Sequence, residues 1–448
     1  MTKPDPRPAP AFTRACTLAL LLLAGGAAHA AERGPADRGP ADRGPADRGP
    51  AERGPADRGA DNTGTAWTFG GFGTAAVSYS DNRQADFSSS VLKGTGAGAS
   101  DAWSPHVDSR LGAQLGVTLD KQWYGVVQVI AEQRLDHSYR PLVEWANVKY
   151  QATPDLSLRL GRIALPIFLA ADYRKIGYAY PWARTPGEVY GALSISSSDG
   201  VDASYRWQAA GLRLLTQAFV GGTDLDLYQG YTVKARKLTG VSTTADRGAF
   251  SSRISAFSSQ VSIDLADELF DGFKQFGPAG EALARQYGVQ RKRFNALTVG
   301  ASYDPGHWFL MAELGRFNSH SFLGKTITGY ASAGYRIGAF TPYLAYAASH
   351  ARSPTRDPGL ALDGLPPPLA APAGQLNAGL NYLLMSVPVQ DTVSAGVRWD
   401  ARRNVALKLQ YDRVRPGERS RGTLVNVQPG FGARTRVNLA SAVLDFVF

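Results

Sequence analysis

The chain has one cysteine, Cys16, among 448 residues. A lone thiol excludes a disulfide framework, and its place ahead of the first apolar run argues against a lipoprotein anchor. No G-x-S-x-G, H-E-x-x-H or C-x-x-C occurs, so no patterned serine nucleophile, zinc pair or redox dithiol is present. The six histidines, His29, His106, His137, His307, His320 and His350, fall in the N-terminal segment, loops, turns or a strand end, and none has an obvious serine partner. Gly324-Lys325-Thr326 is similar to the end of a phosphate loop, but Ser319 occupies the upstream glycine position. The expectation is a protein that is not an enzyme, with no cofactor and no metal. After the N-terminus no apolar run approaches the ~18 residues from which a membrane-crossing helix is read.

What is plentiful is glycine (49), tyrosine (19), phenylalanine (19) and tryptophan (8). That mixture suits an all-β chain rich in turns and aromatic belts. Residues 1–30 have the form of an export signal, with basic Lys3, Arg7 and Arg14, an apolar run from Thr17 to Leu23, and an Ala28-His-Ala30 cleavage site. Residues 31–65 carry repeats of Arg-Gly-Pro-Ala-Asp, in which proline and glycine exclude helix and sheet, so a disordered spacer is expected. The net charge of +10 comes from scattered rather than clustered basic residues. With an export signal, this argues against a nucleic-acid partner.

From Trp67 to Phe448 the period is two. Val107, Leu111, Ala113, Leu115, Val117 and Leu119 share one face, and Asp108, Arg110, Gln114, Thr118 and Asp120 share the other. Tight turns, such as Asp120-Lys-Gln122, Thr153-Pro-Asp155 and Asp304-Pro-Gly306, alternate with longer segments near 81–106, 135–141, 165–199, 222–230, 265–292, 318–325, 351–390 and 415–435. Short connections on one side and long ones on the other predict a transmembrane antiparallel β-barrel of about sixteen strands over 66–448. Strands at 231–244 and 249–264 are blurred by serine and threonine. Leu265 to Tyr287 has helical spacing broken at Gly277-Pro278, and Leu360 to Pro372 reads as a proline-rich lid. The segment 163–199 is long and aperiodic between two alternating runs, and is expected to fold back into the barrel and narrow it.

On these residues the chain resembles the general porins of Gram-negative outer membranes. The start, Gly71-Phe-Gly-Thr with Val77-Ser-Tyr-Ser-Asp81, is similar to that family's first strand, and Phe448 to the terminal residue read by the barrel-assembly machinery. The resemblance implies sixteen strands, a homotrimer in lipid and lipopolysaccharide of the cell outer membrane, and passive diffusion of small hydrophilic solutes. It further implies a third loop whose acids face a basic wall. Residue by residue, Arg110, Arg162 and Arg206 match the wall arginines, and Pro186-Gly-Glu188-Val-Tyr-Gly191 is similar to the loop tip with Gly187 inserted. Glu188 is then the facing acid and Asp172 the next candidate, while Arg174, Lys175 and Arg184 are additional loop cations.

By alternation, further lumen cations are Lys149, Arg159, Arg213, Arg336, Arg398 and Lys408, and lumen anions are Asp108, Asp202, Glu313, Asp412 and Asp445. Strict alternation forbids Arg159 and Arg162 from both facing inward. The excess of cations predicts mild anion selectivity. Tyr173, Tyr178, Tyr180 and Tyr190 could form a sugar-stacking track or simply pack the loop. Alternatives to a general porin are a channel specific for phosphate, sugar or organic acid, an outer-membrane enzyme, and an adhesin barrel.

Overall fold

A computed structural model describes residues 65–227, 230–432 and 435–448. The expected signal and spacer, 1–64, lie outside the described residues, as do 228–229 and 433–434. Among the described residues sixteen antiparallel strands close into one barrel. In order they are β1 (Ala66–Ser80), β2 (Arg110–Thr118), β3 (Trp123–Glu132), β4 (Leu142–Gln151), β5 (Leu156–Ala164), β6 (Ser197–Ala209), β7 (Leu212–Asp226) and β8 (Thr232–Arg247). The second half comprises β9 (Phe250–Ile263), β10 (Lys292–Tyr303), β11 (Trp308–Ser319), β12 (Lys325–Tyr335), β13 (Phe340–Ala351), β14 (Gln390–Arg402), β15 (Val405–Pro416) and β16 (Val437–Val447). Each strand pairs with its sequence neighbours, and β1 pairs with β16 from Phe72↔Val447 to Ser80↔Leu439. Two 3.0 Å backbone bonds between Gly71 and Phe448 finish the seam. Every wall strand thus has a partner on both edges, which a sheet in hydrocarbon requires.

The outer face is apolar. Trp67, Phe69, Leu160, Leu344 and Leu409 are exposed, a cost in water that lipid removes. Aromatic pairs ring the end that carries the short turns: Trp123–Tyr150, Tyr303–Trp308, Phe340–Trp399 and Phe69–Phe448. Amphipathic rings favour that depth at a membrane interface. No helix among the described residues is long and apolar enough to cross a membrane; crossing by strands needs none.

Details depart from the sequence reading. The segment 222–230 is mostly strand, because β7 and β8 continue to Asp226 and from Thr232. The serines that blurred β9 lie on both faces: Ser251, Ser255 and Ser259 are buried inward, while Ser252, Ser258 and Ser262 have the outward parity. The connection after β9 holds two helices, α2 (Asp267–Lys274) and α3 (Gly277–Tyr287), meeting at the Gly277-Pro278 break; a single-turn helix, α1, spans Gly187–Tyr190. The proline-rich lid contains an eighteen-residue helix, α4 (Pro367–Leu384). Proline is tolerated in a first turn, where its missing N–H would have no partner, so Pro367 and Pro368 open this helix rather than prevent it. α4 packs on α2, with Phe270, Phe273, Leu380 and Leu384 in one apolar cluster.

Inside the wall, glycines accept aromatic rings from neighbouring strands. Phe309 covers Gly334 so closely that an added Cβ would stand 2.3 Å from the ring. Gly334→Val is expected to cost about 1–3 kcal/mol through overpacking, while Ala333→Val on the lipid face changes little. Urea unfolding of the refolded barrel in lipid or detergent measures both.

Candidate pore constriction

The connection between β5 and β6, 165–196, turns into the barrel. Its chain is held by inward-facing side chains around the wall. On β9 and β10, Ser255 Oγ donates to the Pro166 carbonyl (2.9 Å) and Thr298 Oγ1 to that of Ile167 (2.6 Å). Glu313 on β11 accepts from the Leu169 amide (2.9 Å), from Tyr330 Oη on β12 (3.0 Å) and from Tyr190 Oη. Trp182 Nε1 donates to Ser332 Oγ at 2.8 Å. The loop also buries Leu165, Ile167 and Phe168 in an apolar cluster with wall residues Ile163, Phe219, Phe257 and Phe317.

Charged tethers complete the attachment. Lys408 is fully buried; its Nζ donates to the carbonyls of Gly177 (2.7 Å) and Trp182 (2.8 Å) and lies 2.8 Å from Asp445 Oδ2. Asp445 also accepts from Thr74 Oγ1 at 2.6 Å. Arg398 donates to the carbonyls of Tyr178 and Tyr180. Arg184, from the loop, bridges Asp108 (2.7 Å) and Asp412 (2.6 Å) and reaches Ser441 Oγ at 2.5 Å. Lumen charges read from alternation as Lys408, Arg398, Asp108, Glu313, Asp412 and Asp445 do face inward, but their work is to hold the loop.

This corrects the expected division into an acidic loop and a basic wall. Beside the barrel seam the polarity is reversed, with the loop cation Arg184 between the carboxylates of Asp108 and Asp412. Glu188 is not a facing acid: it is buried against Gln390 Nε2 (2.6 Å) and Thr392 Oγ1 of β14. Asp172 lies 3.5 Å from Arg253 of β9, and Arg174 donates within the loop to the Leu193 carbonyl. The tyrosines do not form an open track. Tyr190 and Tyr180 are buried, one against Glu313 and the other beneath the Lys408 ammonium, 4.8 Å from its ring.

Two arginines are corrected in position. Arg162 shares the outward parity of exposed Leu160 and pairs with Asp199 on β6 at 2.8 Å, on the outer face. Arg159 takes the inward place, its Nε 2.9 Å from buried Asp202. Arg336 stands just past the end of β12, over the inward Phe309 ring, and clamps two short turns together through Asp304 at 2.7 Å. Arg206 and Arg213 have inward parity and are exposed at the short-turn end, away from the tethers; Lys149 stands beside Arg159 in the register.

Most inward side chains from β9 round to β16 are therefore buried beneath loop segments. Water-accessible inward charge lies along the opposite side, between the 172–175 segment and β2–β7, where Arg110, Glu132, Lys149, Arg159, Asp172, Arg174 and Lys175 are half-buried. Among the described residues no group of three or more His, Cys, Asp or Glu could hold a metal ion.

No protein-family model matches the sequence, and no curated protein matches it. Solved structures do match in fold. OmpF of Salmonella typhi, in a complex with daunomycin, is 14% identical with a TM-score of 0.52, covering 87% of this chain and 99% of its own. The outer membrane channel DcaP of Acinetobacter baumannii is 12% identical with a TM-score of 0.51 and the same coverage.

Removing one partner of a buried ion pair strands the other charge. Lys408→Met is expected to cost about 3–5 kcal/mol, and the double variant Lys408→Met/Asp445→Asn less. Denaturant midpoints of the single and double variants decide this. With these distances and likenesses together, the architecture is that of the sixteen-stranded outer-membrane porin barrels.

Proposed function

We propose that the chain is an outer-membrane channel through which small hydrophilic solutes and ions diffuse passively, with a mild preference for anions. One observation carries this: a charged, water-reached margin runs beside a loop tethered inside a closed barrel. The accessible cations there, Arg110, Lys149, Arg159, Arg174, Lys175, Arg206 and Arg213, outnumber the accessible acids Glu132, Asp172 and Asp246. The inward carboxylates Asp108, Asp202, Asp412 and Asp445 are buried and committed to the loop, to Lys408 or to Arg159. In a narrow aqueous passage, lining charge of one sign concentrates counter-ions and sets selectivity.

The surroundings follow from the same reading. The apolar band and aromatic ring would sit in the outer membrane. Arg236, Arg293 and Arg316, exposed on the outer face toward the long loops, would meet lipopolysaccharide phosphates. Phe448 would present the terminal aromatic to the assembly machinery, and three copies would form the working unit.

Reversal potentials across a KCl gradient test the reading; an anion preference supports it and clear cation selectivity overturns it. Arg110→Gln is expected to reduce the anion preference. Arg162→Gln, outside the lumen, is expected to leave both conductance and selectivity unchanged.

A further inference from the structure

Three cations converge on one carboxylate at the edge of the accessible margin. Arg110 on β2 is the register partner of Glu132 on β3. Lys175 of the inward loop forms an ion pair with Glu132. The third cation, Lys93, comes from the β1–β2 connection. Its segment is pinned to the end of β3 by Gln133 Nε2 donating to Thr95 Oγ1 (2.8 Å) and by Gly94 N donating to the Arg134 carbonyl (3.3 Å). Lys93 Nζ donates to the carbonyls of His106 (3.1 Å) and Val107 (2.8 Å), and Arg110 Nε to that of Asp108 (3.1 Å). Both cations therefore share one turn of backbone.

The other polar groups nearby have partners of their own. Asp108 is engaged by Arg184, and Asp445 by Lys408 and Thr74. His106 Nδ1 is 2.7 Å from Tyr139 Oη. Arg174, on the same loop segment, adds positive charge. Glu132 is thus the single carboxylate shared by Lys93, Arg110 and Lys175. Lys175, Arg110 and Glu132 remain partly open to water, while Lys93 is buried behind them.

From this geometry we propose that Lys93, Arg110 and Lys175 form a binding subsite for a doubly charged tetrahedral oxyanion, inorganic phosphate or the phosphate group of a small ester. The inference deepens the channel reading by naming a solute class within it. The Arg110 guanidinium fork and the Lys175 ammonium supply donors from two segments of chain, and the buried Lys93 ammonium adds positive charge behind them, an arrangement that suits an oxyanion. The charge excess over Glu132 matches a dianion better than chloride. Burial pushes the Lys93 ammonium down to about 8, with Glu132 holding it up and Arg110 pushing it further down. Its proton is present below that pH and lost above it, so affinity should fall as the pH rises through about 8.

The test is calorimetric titration of inorganic phosphate, in chloride buffer, into the full chain refolded in detergent. Saturable binding is expected, weakened about tenfold in Lys93→Met and in Lys175→Gln and retained in Lys93→Arg. Sulfate, whose charge does not change in this range, should bind more weakly at pH 9 than at pH 7. Absence of saturable binding overturns the subsite, as does equal affinity in folded Lys93→Met and Lys175→Gln. Conductance in planar bilayers is read separately. A conducting barrel that ignores phosphate removes the subsite alone, whereas a phosphate-binding barrel that never conducts removes the channel reading and leaves the subsite standing.

Discussion

Backbone hydrogen bonding in an environment without water is the constraint from which the structure follows. A strand edge in hydrocarbon would leave several unsatisfied amides and carbonyls, each costing several kcal/mol. The chain meets this by returning its last strand to its first, in register from Phe72↔Val447 to Ser80↔Leu439. Closure then fixes the remaining geometry. Side chains alternate between lipid and interior, connections fall at two ends, and anything longer than a tight turn must lie over the mouth or enter it.

The interior poses the complementary problem. Once 165–196 enters the barrel, its carbonyls and amides need partners that regular structure no longer supplies. The wall provides them one side chain at a time: Ser255, Thr298, Glu313, Arg398 and Lys408 each hold loop backbone. Buried charges are tolerable here because each is paired and hydrogen-bonded, as Lys408 is by Asp445 and two carbonyls. The same groups that would line an empty bore are thereby consumed. The accessible charge is displaced to the β2–β7 side, where fewer loop contacts cover the wall.

That displacement explains where the sequence was legible and where it misled. Alternation in β2 and β16 could be read because one face must be apolar in lipid; Leu111, Leu115, Leu444 and Phe446 leave little choice. β9 was harder because serines stand on both of its faces, Ser251, Ser255 and Ser259 inward and Ser252, Ser258 and Ser262 outward. Alternation correctly placed Lys408, Glu313 and Asp412 inside the wall. It had no means of telling a pore-lining charge from a tether, since that depends on which loop carbonyl or guanidinium arrives opposite. Arg162 was misplaced for a related reason. Its motif resembled a pore arginine, while its parity with Leu160 directed it outward.

Patterning along the chain was enough to read the barrel, its approximate strand count, its lipid face and one long inward connection. Period-two patterning and turn chemistry are local properties, and local properties are written in consecutive residues. Folding in three dimensions is what sets Arg184 between Asp108 and Asp412, buries Glu188, and gathers Lys93, Arg110 and Lys175 about Glu132. Those meetings join residues far apart in the chain, and their electrostatics depend on burial and distance, which no single stretch of sequence contains.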